Sequence, residues 1–191
     1  MKNIIKILAL FLIISCKAQT IVNIDAYGIG DNSNKYFKDI ENNFQNFTGI
    51  WENTTGSITF RLTMWKVEND PLTSISNSFM DRIYGKYLIV QNAGMPNEII
   101  LFDSIKYFPQ SNYVTNWVLL GKATSSIFAS GSFIDTNANN GTNVIDGTFS
   151  FEILNIGNTP LQAQWKIKSL GPLFTGEFFT VPTDCILTKV N

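Results

Sequence analysis

The 191-residue chain contains no histidine, and this absence removes several classes of catalysis at once. A Ser-His-Asp or Cys-His nucleophile is excluded, as is a histidine-based zinc site. An enzyme built from this chain would have to work with carboxylates, lysine or tyrosine alone. No set of these residues specifies a reaction, so we expect a protein that is not an enzyme and that has no cofactor.

Cysteine and charge are also scarce. The chain has two cysteines, 14 Lys or Arg residues and 15 Asp or Glu residues. The charges are scattered among many Asn, Thr and Ser residues, and no cluster of basic residues is available to bind nucleic acid. A chain of this length is one domain by default, and it buries enough surface to fold without a disulfide or a metal. We therefore expect a single domain without a nucleic-acid partner; its oligomeric state is open, with a monomer as the default.

Residues 1–18 have the composition of a signal peptide. Lys2 and Lys6 supply a positive start, and Ile7 to Ile14 is an uninterrupted apolar run. This run is much shorter than the ~20 apolar residues that span a bilayer, so it predicts export rather than a membrane-spanning helix. The small residues before Gln19 would allow ordinary cleavage after Ala18, which would give a soluble secreted protein.

The end of the apolar run, Ile13-Ile14-Ser15-Cys16, resembles a bacterial lipobox. The resemblance implies that Cys16 receives a lipid, that the peptide is cut before Cys16, and that the protein is anchored at the periplasmic or outer-membrane face of the cell envelope. Two acyl chains give stable anchoring, since each buried methylene contributes ~0.8 kcal/mol. Loss of Lys2 and Lys6 with the signal leaves 12 basic against 15 acidic residues, a net charge of −3. Cys185 would then have no partner and is expected to be a small core residue.

Two segments lie between the signal and the first clear strand. Residues 19–34 are polar and rich in glycine, and we interpret them as a flexible linker to a single domain of residues 35–191. From Lys35 to Phe47, apolar residues recur at intervals of three and four, namely Phe37, Ile40, Phe44 and Phe47. This spacing predicts one short amphipathic helix, with Asn34 as its N-cap.

The remainder alternates between apolar and polar residues, which predicts β-strands. Ile83 to Gln91 and Glu98 to Ile105 should pair as a hairpin, and Phe174 to Val181 should be one of the last strands. A change of parity after Met64 predicts a β-bulge at Met64-Trp65. The many short strands predict an all-β fold, either an antiparallel up-and-down barrel of about 8–10 strands with one short N-terminal helix or, as the alternative, a β-sandwich.

The segment Phe47-Thr48-Gly49-Ile50-Trp51 resembles the opening motif of lipocalin and wider calycin barrels. In those folds the glycine allows tight entry into the barrel, the tryptophan plugs the closed end, and a basic residue of the last strand packs across it. The resemblance implies these roles for Gly49, Trp51 and Lys189. The second lipocalin motif, a loop of Thr-Asp-Tyr type, is absent.

Over its whole length the chain is similar to a family of small lipoproteins from Bacteroidetes-type bacteria that carry a domain of unknown function. The shared features are the signal end Ile14 to Gln19, Phe47-x-Gly49-x-Trp51, Asp81 to Tyr87, and the C-terminal pair Pro182-Thr183 with Leu187-Thr188-Lys189. The resemblance implies an envelope protein but supplies no activity.

One loop invites a metal hypothesis. Asp135, Asn137, Asn139 and Asp146 are spaced like ligands of a 12-residue calcium loop. The loop lacks glycine at its sixth position and joins strands instead of helices, and Asn140-Gly141 is equally a hairpin turn. We expect a solvated loop, with calcium binding as the alternative.

The function that we expect is that of an envelope-anchored barrel that holds a small apolar ligand or serves as an envelope interaction module. Aromatic residues such as Trp65, Trp117 and Trp165 either line a cavity or fill the core. The alternatives are a structural or adhesive protein that binds protein or glycan, and a hydrolase that uses two carboxylates. A barrel interior filled with side chains would argue against the ligand hypothesis.

Overall fold

The computed structural model describes residues 19–105, 117–138 and 144–190. This part of the chain forms eleven β-strands and two short 3₁₀ helices, Ile24–Ala26 and Asn43–Asn46. The strands are β1 (Thr20–Asn23), β2 (Lys35–Lys38), β3 (Gly49–Thr55), β4 (Ile58–Pro71), β5 (Phe79–Gln91), β6 (Ile99–Asp103), β7 (Leu119–Ala123), β8 (Phe128–Asp135), β9 (Ile145–Ile153), β10 (Gln162–Ser169) and β11 (Asp184–Val190).

Eight of these strands form a closed antiparallel barrel. The order around the barrel is β3-β4-β5-β7-β8-β9-β10-β11, and β11 pairs back with β3. Neighbours around the barrel follow each other along the chain apart from β6, so the topology is up-and-down. The predicted all-β barrel is confirmed, it is consistent with a calycin-like fold, and closure excludes the β-sandwich.

Alternation of the sequence explains why the strands have an inner and an outer face. In β9 every second residue from Ile145 to Ile153 is buried, and the residues between them are exposed or half-buried. The predicted hairpin of Ile83 to Gln91 with Glu98 to Ile105 is confirmed as the pairing of β5 with β6. One edge of the long strand β5 pairs with β4, and its other edge is shared by β2, β7 and β6.

The predicted helix from Lys35 to Phe47 is wrong. Residues 35–38 form strand β2, and the chain then turns sharply because the Asp39 carboxylate accepts hydrogen bonds from the backbone N–H groups of Asn43 (2.8 Å) and Phe44 (3.0 Å). Asn42 has a left-handed backbone with φ of 56°, and the side chain of Ile40 is 58% exposed. The intervals of three and four therefore come from a strand followed by a turn.

The prediction of a flexible linker at residues 19–34 is also wrong. Strand β1 pairs in parallel with β2, and Ile24 is only 1% exposed in the hydrophobic core. The Asn34 N–H donates to the Ser76 carbonyl at 3.1 Å, in the turn between β4 and β5. The buried Ile24, with the partly buried Val22 and Tyr27 packed against the core, thus holds this polar, glycine-rich stretch against the barrel. We call residues 19–47 the N-terminal arm.

Two further details differ from the prediction. The β-bulge lies between Val67 and Asp70, whereas the pairing of Met64 and Trp65 with β5 is regular. The alternation of apolar and polar residues changes after Met64 because Lys66, a polar residue, occupies the inward position opposite Ile83. Its ammonium lies 3.3 Å from the buried carboxylate of Asp81. The expected strand at 174–181 is an irregular segment that connects β10 to β11.

Candidate functional site

The barrel interior, where a lipocalin-type ligand would lie, is occupied by aromatic side chains in mutual contact. Trp165 is fully buried, and the centroid of its ring lies 5.5 Å from that of Phe133, 5.7 Å from Phe149 and 6.0 Å from Phe60. Phe151 continues the series toward one end of the barrel, with a centroid distance of 4.8 Å to Trp51. Such edge and offset contacts stabilise a core beyond the burial of apolar area.

Two glycines in the wall make room for this interior packing. Gly121 of β7 and Gly131 of β8 are cross-strand partners. A Cβ atom at Gly121 would lie 2.6 Å from Cζ of Phe149, and one at Gly131 would lie 2.1 Å from the carbonyl oxygen of Leu120. A side chain at either position would displace the ring or the strand, so the sequence is fitted to a filled interior.

At one end of the barrel the structure brings Gly49, Trp51 and Lys189 together. Trp51 is fully buried, its indole N–H donates to the Phe47 carbonyl at 2.8 Å, and it pairs with Lys189 across β3 and β11. The Lys189 ammonium lies 5.5 Å from the Trp51 ring centroid and donates to the Asn46 carbonyl at 3.2 Å. Burial lowers the pKa of Lys189. We call this end of the barrel the tryptophan end.

Cys16, the expected lipidation site, lies outside the described residues.

The opposite end is crossed by residues 179–182, which we call the strap. Val181 of the strap is buried, and the Trp165 indole N–H donates to the Pro182 carbonyl at 2.9 Å. The Phe179 ring lies 6.5 Å from that of Phe133. Because these contacts reach the aromatic core from outside the strands, the strap closes the second end of the barrel, which we call the strap end.

A buried carboxylate, Asp135 at the end of β8, holds the strap. Its oxygens accept hydrogen bonds from the Tyr87 hydroxyl (2.7 Å), the Thr180 N–H (2.5 Å), the Thr180 hydroxyl (2.9 Å) and the Asn137 N–H (3.0 Å). Burial, together with the nearby Asp135 carboxylate, raises the pKa of Tyr87. This long-range contact between β5, β8 and the strap has no local sequence signal.

Among the described candidate calcium ligands, Asp135 and Asp146 lie on opposite faces of the barrel wall. Asp135 faces inward beside its partner Ile145, so Asp146, the next residue of β9, projects from the outer face and is exposed. Asn137 donates its N–H to Asp135, and Asn139 lies outside the described residues. Within residues 19–105, 117–138 and 144–190, no group of three or more His, Cys, Asp or Glu side chains is placed to hold a metal ion.

A pocket of about 340 Å³ lies beside the strap, between it and the β3–β4 hairpin. Its apolar lining comes from Ile58, Phe60, Ile89, Val181 and Pro182, and its polar lining from Asn53, Thr55 and Thr180. This pocket is at the rim of the barrel and reaches the aromatic core at Phe60.

The segment Asp81 to Tyr87 is one of the features behind the family resemblance. Its first and last residues both hold other parts of the chain in place. The fully buried Asp81 carboxylate accepts hydrogen bonds from the Tyr36 hydroxyl, the Asp39 N–H (3.0 Å) and the Asn69 N–H (3.2 Å). Burial alone would raise the pKa of Asp81, but these hydrogen bonds and the Lys66 charge lower it. Asp81 thus fixes the N-terminal arm to β5, while Tyr87, six residues later, binds Asp135.

The carboxylates that could serve a hydrolase are mostly engaged with neighbours. Glu52 pairs with Arg61, Glu68 pairs with Lys66 at 3.0 Å, and Glu177 accepts a hydrogen bond from the Phe174 N–H at 3.0 Å. Glu152 is exposed on the outer face of β9. The structure places these four residues on different elements.

Other isolated residues of interest are accounted for by packing. Cys185 is a half-buried free thiol, and burial, with a smaller effect of Asp184, raises its pKa to about 11.

The helices in the described part of the chain are each too short to cross a bilayer.

The chain belongs to the family of unknown function DUF6705, whose model matches residues 1–190. No curated protein and no solved structure matches the chain significantly. Membership confirms the coarser part of the resemblance, a domain of unknown function that spans the chain, and adds no activity to it.

Proposed function

We propose that this DUF6705 member is a non-catalytic, lipid-anchored interaction module of the cell envelope that makes its contacts on the outside of the barrel. The observation that supports this proposal is the filled interior. Trp51, Trp165, Phe133 and Phe151 are all fully buried along the barrel, and the tryptophan end and the strap close it. A molecule that meets the described part of the barrel would therefore meet its outer wall or its rims.

The position of residue 19 indicates which end of the barrel would face the membrane if Cys16 carries a lipid. The Gln19 side-chain amide donates to the carbonyl oxygens of Lys35 and Asn77, so residue 19 lies at the turn between β4 and β5. From this turn the 13 residues of β5 run to the strap end, a distance of about 40 Å for an extended strand. A lipid on Cys16, three residues before Gln19, would hold the membrane near the β4–β5 turn and leave the outer wall accessible.

A second candidate function is the binding of a small apolar molecule in the rim pocket. Its volume of about 340 Å³ falls within the usual range of ligand pockets, and an apolar lining with a few polar groups is typical of them. Ile58→Trp would fill the pocket from its rim. If the pocket binds such a molecule, this variant loses binding of an apolar fluorescent probe, whereas Ile186→Trp on the outer face of β11 keeps it.

Two experiments test the proposed function. Labelling with palmitate in cells should mark the wild-type chain and not Cys16→Ala; equal labelling would remove the anchor. The chain from Gln19 onward, which lacks the anchor, should co-sediment saturably with isolated envelope fragments, and added unlabelled chain should compete. Absence of saturable sedimentation would contradict the interaction role.

A further inference from the structure

A shallow trough crosses the outer wall of the barrel on strands β7 to β10. Its floor consists of four small hydroxyl residues, Ser130, Ser132, Thr148 and Ser150, which are exposed or half-buried. Ser130 pairs with Ser150 and Ser132 pairs with Thr148, so these four residues form two neighbouring cross-strand pairs on the outer face of β8 and β9. We call this surface the hydroxyl trough.

Basic residues lie on both sides of the hydroxyl trough. A hollow of about 290 Å³ on the β7 side includes Arg82 and Lys122, and one of about 210 Å³ on the β10 side includes Lys166 and Lys168. Cross-strand pairing places Lys122, Ser130, Ser150 and Lys166 in one row. Three strand spacings separate the two lysines of this row, which is about 14 Å along the curved wall of the barrel.

Most of these cations are available for an anionic ligand. Among the residues that the structure describes, Lys122 and Lys168 form no ion pair; the Lys122 ammonium lies over the Tyr27 ring at 5.3 Å. Lys166 approaches Asp184 only to 3.9 Å, and both side chains are about half exposed, so this pair contributes little. Arg82 is the exception, because it pairs with Asp70 at 2.9 Å.

Carboxylates on β9 restrict the shape of an anionic ligand. Asp146 and Glu152 are exposed on the same outer face and bracket Thr148 and Ser150 along the strand. A broad anionic surface such as a membrane would meet both carboxylates and be repelled by them. A narrow anionic chain that runs across the strands passes between them, with lysines at its two sides.

An aromatic group extends the second row of the trough. In this row, cross-strand pairs lead from Lys168 through Thr148, Ser132 and Leu120 to Tyr84 and Trp65. Trp65 stacks on Tyr84 with a centroid distance of 6.4 Å, and Trp117 contacts Tyr84 edge-on at 5.3 Å. The Tyr84 ring is buried between these two rings and its hydroxyl donates to Asp70 at 2.8 Å, so the aromatic group borders the hydroxyl trough on the β5 side and gives it a rigid edge.

We infer that the hydroxyl trough binds an acidic polysaccharide that lies across strands β7 to β10. Its carboxylate or sulfate groups would meet Lys122, Lys166 and Lys168, and its hydroxyl groups would bond to the serine and threonine side chains. This inference rests on the proposed function for its setting in the envelope, and it names the class of partner.

Calorimetric titration of the purified chain with three polymers tests the inference: alginate as a polyuronate, dextran sulfate, and neutral dextran. We expect salt-sensitive binding of at least one acidic polymer and none of neutral dextran. The variant Lys122→Gln/Lys166→Gln/Lys168→Gln should bind at least about fivefold more weakly, since three exposed charge contacts are lost. The control Lys35→Gln/Lys38→Gln/Lys86→Gln has the same net charge and should bind like wild type.

Several outcomes would overturn the inference: absence of binding to both acidic polymers, equal weakening in both triple variants, or equal binding of neutral dextran. Vesicles with an anionic lipid provide the remaining comparison. If they bind through the three trough lysines and neither polymer does, the surface is for lipid and the inference is wrong. Saturable sedimentation with envelope fragments by the trough variant would then show that the interaction role survives without this partner.

Discussion

Removal of the Asp135 carboxylate should be the most damaging change at the strap end. Asp135 is fully buried and accepts hydrogen bonds from Tyr87, Thr180 and Asn137. In Asp135→Ala the Tyr87 hydroxyl, which is buried with it, loses its partner, and the Thr180 N–H is released. Hydrogen bonds to a charged group contribute about 1.5–3 kcal/mol each. Because water can reach the half-buried Thr180, we expect a loss of about 3–4 kcal/mol in the free energy of unfolding.

Matched variants separate the contributions. Tyr87→Phe removes one donor and leaves the others, so it should cost only about 1–2 kcal/mol. Asp146→Ala removes an exposed carboxylate from the outer face beside Ile145, the partner of Asp135, and should stay within about 0.5 kcal/mol of wild type. The double variant Asp135→Ala/Tyr87→Phe should lose less unfolding free energy than the two single variants lose together, because the two residues share one hydrogen bond.

Urea unfolding followed by tryptophan fluorescence measures these differences, with Trp165 as a reporter that is bonded to the strap. Hydrogen exchange of the Thr180 amide gives a local measure, and it should quicken in Asp135→Ala more than exchange in β4. A loss below about 1 kcal/mol in Asp135→Ala, or a loss equal to that of Asp146→Ala, would refute the assignment of Asp135 as the residue that holds the strap.

Three other predictions follow from single residues. Gly49→Ala should destabilise by about 1–3 kcal/mol in urea unfolding, because Gly49 has a φ of 114° and its Cβ would lie 3.1 Å from Cε of Lys189; stability equal to wild type would contradict this. Asp81 has a lowered pKa, so its stabilisation is present above the unfolded-state pKa of about 3.9 and is lost as the pH falls below it. Asp81→Asn should therefore be less stable at pH 7 and less pH-dependent below about pH 4, and a parallel pH profile would refute it. Burial raises the pKa of Cys185 to about 11, so at pH 8 its alkylation by iodoacetamide should be at least about tenfold slower in the folded than in the urea-unfolded chain; equal rates would show an accessible thiol.

The barrel was predictable because a period of two is a local property of each strand. Lys166 and Lys168 alternate with Trp165 and Ile167, which places them on the outer face from sequence alone. The hydroxyl trough was not predictable, because it depends on which strands become neighbours. Only the register across β7, β8, β9 and β10 aligns Lys122 with Lys166.

The errors at the N-terminus have a common physical cause. Periodicity assigns a helix to Phe37, Ile40 and Phe44, but it contains no information on the Asp39 carboxylate that caps the turn after β2. Likewise, glycine and polar residues suggest a linker where Ile24 docks into the core. At the other end of the chain, the apolar composition of residues 174–181 indicates a strand, but the hydrogen bonds that hold this segment join Thr180 to Asp135, 45 residues away in the chain.

Native mass spectrometry of the protein purified from the cells that produce it tests the central claim most directly. In the proposed function the barrel interior is filled by side chains such as Trp165 and Phe133, and the protein acts through its outer wall. The expected mass is therefore that of the processed chain with its lipid and nothing more. A stoichiometric small molecule that stays bound in Ile58→Trp, and so lies inside the barrel rather than in the rim pocket, would contradict it.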